Sequence, residues 1–232
     1  MNVSVTPSPM PNFLRSHIKN LTGTGGYNKL NNKTLVQAVQ DWLEDPFSAE
    51  LFWGPMEYWD VSKVKDMRKL FKDGVNGDTK NFDENLELWD VSNVERMDNM
   101  FDTCLHFNSN LMRWKVGNVR DMGGMFNNAG EFKADLKDWD VRNCDNMQSM
   151  FRGAGAFNSD LSKWDTAKVR SNENMFNGAS SFDIDCTSNW KVKPTFLGFH
   201  DKNKTKRFSD YLGGGKGKGK GKKGGRGQEE GL

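Results

Sequence analysis

Large apolar residues along this chain recur in one framework whose period is set by tryptophan. Trp59, Trp89, Trp114, Trp139, Trp164 and Trp190 follow one another at intervals of 30, 25, 25, 25 and 26 residues. Aligned on them, the unit reads F-x-x-[ND]-L-x-x-W-D-V-x-x-V-x-x-M-x-x-M-F, then a stretch rich in Gly, Ala and Asn. Phe82, Phe107, Phe132 and Phe157 stand seven residues before Trp, and Leu86, Leu111, Leu136 and Leu161 three before it; the last unit has Phe182 and one extra residue before Trp190. Val64, Val94, Val119, Cys144 and Val169 stand five after Trp, and Met67, Met97, Met122 and Met147 eight after it, where Asn172 breaks the series. An apolar pair closes each framework, from Leu70 and Phe71 through Met100 and Phe101, Met125 and Phe126, and Met150 and Phe151 to Met175 and Phe176. Such a fixed period marks a repeat array, because each unit leaves an apolar face that only the next unit can cover.

The spacing V-x-x-M-x-x-M-F puts apolar residues at i, i+3, i+6 and i+7, which predicts one stripe of a short helix or of 3₁₀ turns. The segment F-x-x-[ND]-L-x-x-W is short and bounded by small and polar residues. It predicts a brief strand that pairs in parallel with the same segment of adjacent coils, about 4.8 Å away. The expected architecture is therefore a repeat solenoid of short parallel strands alternating with short helical or 3₁₀ turns, its equivalent side chains standing in Trp, Leu, Phe and Met columns. Asn85, Asn110, Asp135, Asp160 and Asp185, just before the Leu position, are expected to form a structural ladder to turn amides. Asp60, Asp90, Asp140 and Asp165, just after Trp, suit capping of the V-x-x-M turn. Stacked carboxylates could instead hold calcium, but Lys115 interrupts the column and no oxygen-ligand loop of known spacing is present.

The strings WDVSKVKDMRKLF, WDVSNVERMDNMF and WDVRNCDNMQSMF, each followed by an A/G-x-x-F element, resemble the BspA-like leucine-rich-repeat surface proteins, in particular their 25-residue mycoplasma-lipoprotein-type repeat. The resemblance runs from about Lys33 to Trp190 and includes an entry helix of the type TLVQAVQDWLEDP. It implies a right-handed leucine-rich-repeat-like solenoid that serves binding or adhesion, with no catalytic activity.

Composition divides the chain. Residues 1–32 read as a flexible N-terminal segment, 33–58 as an N-terminal cap, 59–190 as a five-unit repeat, 191–212 as a C-terminal cap and 213–232 as a disordered Gly/Lys tail. Over Lys33–Asp45, Leu35, Val36, Val39, Trp42 and Leu43 recur at helical spacing, and Pro46 ends or redirects that helix. Trp42, with Phe52 and Trp53, is expected to close the open end of the Trp59 coil. Phe196, Leu197, Phe199, Phe208, Tyr211 and Leu212 would close the other end. The chain's net charge of +2, with +3 in residues 1–32 and +6 in residues 200–232, leaves −7 between them. An acidic middle thus carries two basic ends.

Catalysis lacks an inventory here: His17, His106 and His200 lie in unrelated contexts, and no Cys/His pair has metal-ligand spacing. Cys144 replaces Val, Cys186 replaces Leu and Cys104 stands where later units have Ala, so all three are expected in core slots, reduced and unpaired. No cofactor and no metal site is expected. The variable positions Glu87, Arg113, Lys137, Asp138 and Lys163 suit a protein-binding face. Lys216, Lys218, Lys220, Lys222, Lys223 and Arg226 alternate with glycine and suit contact with nucleic acid or another anionic surface. The expected partner is therefore another protein, with a virion-associated or otherwise architectural role for the tail as the alternative. No apolar run is long enough to span a bilayer and no signal peptide is seen, which favours an intracellular or virion-associated chain over a secreted one.

Overall fold

The computed structural model describes residues 29–72 and 79–194. All of these lie in a compact unit spanning Met1–His200. Expectations for residues 1–28, for the loop 73–78, for the C-terminal cap beyond residue 194 and for the Gly/Lys tail fall outside the described residues.

The entry helix α1 runs Asn32–Glu44 and starts on a capping box: Asn31 Oδ1 accepts from the amides of Lys33 and Thr34, and Thr34 Oγ1 accepts from the Asn31 amide. It buries Leu35, Ala38, Val39 and Trp42, while Val36 faces solvent. Pro46 redirects the chain: it opens a second helix, α2 (Pro46–Trp53), whose N-cap is Asp45. That helix carried no readable stripe, since only Ala49 of PFSAELFW is buried. Trp42 meets Trp59 edge-on at 6.0 Å and closes the first coil as expected; Trp53 is half-buried beside it, but Phe52 is 62% exposed.

From Trp59 the chain winds in coils that stack on one another at the repeat period. Indole rings of successive coils stack at 5.9–6.5 Å for the pairs 59–89, 114–139, 139–164 and 164–190. Phe71, Phe101, Phe126, Phe151 and Phe176 form an inner column at 5.3–5.6 Å. Phe82, Phe107, Phe132, Phe157 and Phe182 form a parallel one at 5.7–6.0 Å. Within each coil the two Phe rings lie face to face at 3.9–4.1 Å. Offset stacking of this kind adds to the burial of apolar area. Each indole N–H also crosses to the coil before it: Trp114, Trp139, Trp164 and Trp190 donate to the carbonyls of Leu86, Leu111, Leu136 and Leu161 at 2.8–3.0 Å.

The expected fold class is overturned in its local structure. Among the described residues there is no strand, only isolated parallel bridges, and the helices are α1, α2 and two 3₁₀ turns, Met56–Tyr58 just before the first coil and Ile184–Thr187 in the last unit. A leucine-rich-repeat-like solenoid of strands alternating with helical turns is not what these residues form. The segment before Trp does not form a strand because its amides are taken up by a tight turn and by side chains, one of them from the next coil. The Trp89 amide donates to the Leu86 carbonyl (3.1 Å), the Glu87 amide to Asn85 Oδ1 (3.1 Å) and the Leu86 amide to Ser109 Oγ (2.9 Å).

Pairing between coils lies instead in the V-x-x-M-x-x-M-F segment. The bridges Asp66↔Arg96, Arg96↔Asp121, Asp121↔Asn146 and Asn146↔Ser171 run through it. In one coil the amides of Met97, Asn99 and Phe101 donate to the carbonyls of Asp121, Gly123 and Met125 of the next, at 2.8–2.9 Å. The intervening Met100 amide turns back to the Met97 carbonyl at 3.2 Å. A continuous helix is impossible here, because Lys69, Asn99, Gly124, Ser149 and Asn174 sit at φ between 55° and 63°, in the left-handed region. Four of these five carry a Cβ, so the stack itself holds them there.

The extra residue before Trp190 is absorbed by the 3₁₀ turn Ile184–Thr187. The Trp190 amide then donates to the Thr187 carbonyl as earlier Trp amides donate to Leu carbonyls, and Thr187, 2% exposed, takes the Leu slot. Cys186 is thereby displaced from that slot and is half-buried.

One core position departs from its column. Val61, Val91, Val116 and Val141 are buried, and Thr166 continues them with its Oγ1 buried and lacking a hydrogen-bond partner. Replacing Thr166 by Val keeps the shape and removes the orphaned hydroxyl, so it is expected to stabilise the protein by about 1–2 kcal/mol. Urea unfolding checks this; an unchanged or lower midpoint contradicts it.

Candidate functional site

The five residues expected to form a binding face stand one or two positions before Trp on consecutive coils. Structure brings them into pairs across coils: Arg113 Nε lies 3.3 Å from Glu87 Oε1, and Lys163 Nζ 3.6 Å from Asp138 Oδ1. Lys137 turns to Asp135 of its own coil, at 2.9 Å. Arg113, Asp138 and Lys163 are exposed, whereas Glu87 and Lys137 are partly covered. Exposed pairs of this type hold little energy, so the charges remain exchangeable for a partner's. The tail cations Lys216, Lys218, Lys220, Lys222, Lys223 and Arg226 lie outside the described residues.

Both Asx columns do local work. Asp60, Asp90, Asp140 and Asp165 accept, through Oδ1, the amide two residues on, at 3.1–3.2 Å. Asn85, Asn110, Asp135 and Asp160 do the same at 2.9–3.1 Å; Asp185, expected in this ladder, lies instead within the 3₁₀ turn Ile184–Thr187, where its own amide donates to Asp183 Oδ1 at 3.1 Å. Among the described residues no group of three or more His, Cys, Asp or Glu is placed to hold a metal ion.

These bonds favour the charged carboxylate. The Arg142 guanidinium holds Asp140 below its ordinary value, the Lys137 amide does so for Asp135, the Ser162 amide for Asp160 and the Ser48 hydroxyl for Asp45. Asp98 is shifted upward by burial and by the charge of Asp121. For the four lowered groups the stabilisation is complete above the unfolded pKa, 3.8, and is lost as pH falls through the folded one. Asp98 acts with the opposite sign. The melting temperature is therefore expected to hold on acidification to about pH 5 and to fall below about pH 4. A melting series from pH 7 to pH 3 tests it; a rise below pH 4 contradicts the assignment.

All three cysteines are free thiols. Burial pushes Cys104 and Cys144 up to about 12, while Cys186 is raised less, also chiefly by burial. Cys186 is expected to alkylate first in the native protein, and Cys104 and Cys144 only on unfolding. Intact-mass analysis without reductant decides this, since two rapid additions or a disulfide would contradict it.

A second feature was not read from the sequence. Six residues after Trp59, Trp89, Trp114, Trp139 and Trp164 stand Lys65, Glu95, Arg120, Asp145 and Arg170, one per coil and alternating in sign. Their backbones form a ladder: the amides of Glu95, Arg120, Asp145 and Arg170 donate to the carbonyls of Lys65, Glu95, Arg120 and Asp145 at 2.8–2.9 Å. Beside it, Asn93, Asn118 and Asn143 donate to the carbonyls of Ser62, Ser92 and Gly117, tying each coil to the one before at 2.7–2.8 Å. Asn118, Arg120, Asn143, Asp145, Lys168 and Arg170 line a surface groove of about 610 Å³.

The 25-residue unit with a W-D-V core that stacks in this way falls within a family described as "Mycoplasma protein of unknown function, DUF285", which matches residues 43–156 and again 112–197. The chain belongs to this DUF285 family. No curated protein and no solved structure shows significant similarity to it. In this DUF285 chain the matched residues take in the end of α1, all of α2 and the stacked coils. No helix among its described residues is long and apolar enough to cross a membrane.

Proposed function

We propose that this DUF285 chain is a non-enzymatic protein-binding or adhesion module that recognises its partner through Glu87, Arg113, Lys137, Asp138 and Lys163. The observation that carries the reading is a division of labour within the repeat. Trp, Leu, Phe and Met positions are consumed by the core, while the positions one and two before Trp vary from coil to coil, with Arg113, Asp138 and Lys163 among those exposed. A rigid stack presenting variable charges at fixed spacing is suited to reading a protein surface, where electrostatic complementarity sets specificity. A narrower kinship with BspA-like surface proteins belongs to the same proposal and rests on the WDVSNVERMDNMF-type strings. The absence of catalysis is also part of it, supported by buried thiols with pKa values of about 12, the opposite of an activated nucleophile.

Affinity capture from the native source tests the reading with three baits: the full chain, a form carrying Glu87→Lys, Arg113→Glu, Asp138→Lys and Lys163→Glu, and a chain ending at Leu212. The expected result is a partner retained by the first and third baits and lost by the second. A partner lost only by the third would place binding in the Gly/Lys tail, as an architectural, polyanion-gripping protein requires.

A further inference from the structure

The alternating ladder six residues after Trp has a symmetry that a lone stack does not use. Along the coils its charges run Lys65 (+), Glu95 (−), Arg120 (+), Asp145 (−) and Arg170 (+). Alternation relieves like-charge repulsion between neighbouring coils, which explains its presence within one molecule. It does not explain what the charges are paired with. Lys65 and Glu95 meet at 3.3 Å, but among the described residues Arg120, Asp145 and Arg170 make no ion pair, although neighbouring rungs are joined through their backbones. All three are exposed, and together they line the groove of about 610 Å³.

We propose that this ladder is a self-association surface, and that its partner is a second copy of the chain lying antiparallel. A two-fold axis placed between the Arg120 and Asp145 rungs brings Glu95 opposite the second copy's Arg170 and Arg120 opposite its Asp145. Each pair then occurs twice, so all four contacts join unlike charges. An isologous contact requires this reciprocity: residue i meets j, and j meets i. Commensurability selects the occupant. Rungs joined by parallel backbone bonds rise by about 4.8 Å, whereas side chains on one face of an extended peptide recur at about 6.6 Å. Only a partner with the same rise keeps four successive rungs in register, and a second stack has it by construction. Asn118 and Asn143 flank the central rungs with their amides already bound to their own stack, which leaves a fixed, polar rim.

Exposed ion pairs are individually weak and screened by salt, so the association is expected to be a reversible monomer–dimer equilibrium that high salt dissolves. Sedimentation equilibrium of the full chain, up to about 500 μM and at about 20 mM and about 500 mM salt, reads it directly. Arg120→Asp makes two of the four contacts Asp against Asp, and Asp145→Arg makes the same two Arg against Arg. Each variant is expected to raise the dimer Kd at least tenfold at low salt, with the melting temperature of the parent confirming that it folds. An equimolar mixture of the two restores Asp against Arg at both contacts and is expected to dimerise. The double variant Arg120→Asp with Asp145→Arg keeps the parent's net charge and pairing and is also expected to dimerise. A parent that stays monomeric throughout overturns the proposal. So does a double variant that stays monomeric when the parent does not, or a set of single variants that dimerise as well as the parent.

Discussion

Replacing Trp139 by Ala is expected to lower unfolding free energy by about 3–5 kcal/mol, the range for truncating a buried aromatic side chain. Trp139 sits in the middle of its column, 3% exposed, with Trp114 and Trp164 each 6.5 Å away and within 4° of parallel. Phe126 of the preceding coil's closing pair lies against it at 6.4 Å. The rings above and below are held by their own coils and cannot close over the vacated space, so the cavity persists. A second loss is the indole N–H bond to the Leu111 carbonyl, 3.0 Å. That carbonyl keeps the Trp114 amide as a donor, so the hydrogen-bond share of the cost is smaller than the cavity share. Trp190→Ala is expected to cost less. Among the described residues, Trp190 has one ring of the Trp column beside it, Trp164 at 5.9 Å, and a terminal coil opens locally without breaking the stack. Urea denaturation of both variants measures the difference. Equal midpoints for Trp139→Ala and the parent would mean that the column does not hold the coils together.

The columns were legible because burial repeats with the chain. Every Trp, Phe and Met assigned to a column from spacing alone is buried in the structure. The path of the backbone between those anchors was not legible, and the left-handed position shows why. Lys69, Asn99, Gly124, Ser149 and Asn174 share one conformation but no chemistry, so no residue type announces it. The strain of a Cβ at positive φ, about 1 kcal/mol, is small beside the burial of the ring that follows. Apolar spacing therefore pointed to a helix that the backbone does not make. It pointed equally to a strand before Trp, where Asx and Ser side chains capture the amides that a ladder would need.

Two other misreadings have local causes. Counting 25 residues from Leu161 placed Cys186 in the Leu column, but the extra residue is absorbed before that point and Thr187 arrives there instead. Phe52, expected beside Trp42 at the open end of the Trp59 coil, lies on a helix that turns only Ala49 fully inward. Variability along the sequence marks Glu87, Arg113, Lys137, Asp138 and Lys163 but not their pairing: only stacking brings Arg113 to Glu87 and Lys163 to Asp138 across coils. The alternating ladder was present in the sequence at a fixed offset from Trp. It is visible only when that single column is read along its length, since each of its charges alone resembles an ordinary solvated residue.

Replacing Lys72 by Met is expected to cost about 2–4 kcal/mol, because it strands a carboxylate that the stack has taken out of water. Asp102 is 4% exposed, and its Oδ2 meets Lys72 Nζ at 2.6 Å while its Oδ1 accepts from the Asn127 amide at 2.8 Å. The lysine belongs to one coil, Asp102 to the next and Asn127 to the one after. Three coils are thus joined through a single buried carboxylate. Methionine fills the lysine stem's volume and removes its charge, so the loss reports on the ion pair more than on packing. Lys72 retains 26% side-chain exposure, which admits some water to the vacated position and places the expected value below the upper limit for a fully buried pair. A second change separates the charge from the site. Asp102→Asn keeps an oxygen for the Asn127 amide and needs no cation, so adding it to Lys72→Met is expected to recover most of the loss, whereas Asp102→Asn alone takes the carboxylate from a lysine whose side chain is still 26% exposed to solvent. Urea unfolding of the parent, both single variants and the double variant closes the cycle. A coupling near zero, with Lys72→Met as stable as the parent, would show that water solvates the Asp102 carboxylate well enough without the lysine and that the three coils are held at this point by Asn127 and the neighbouring Phe columns.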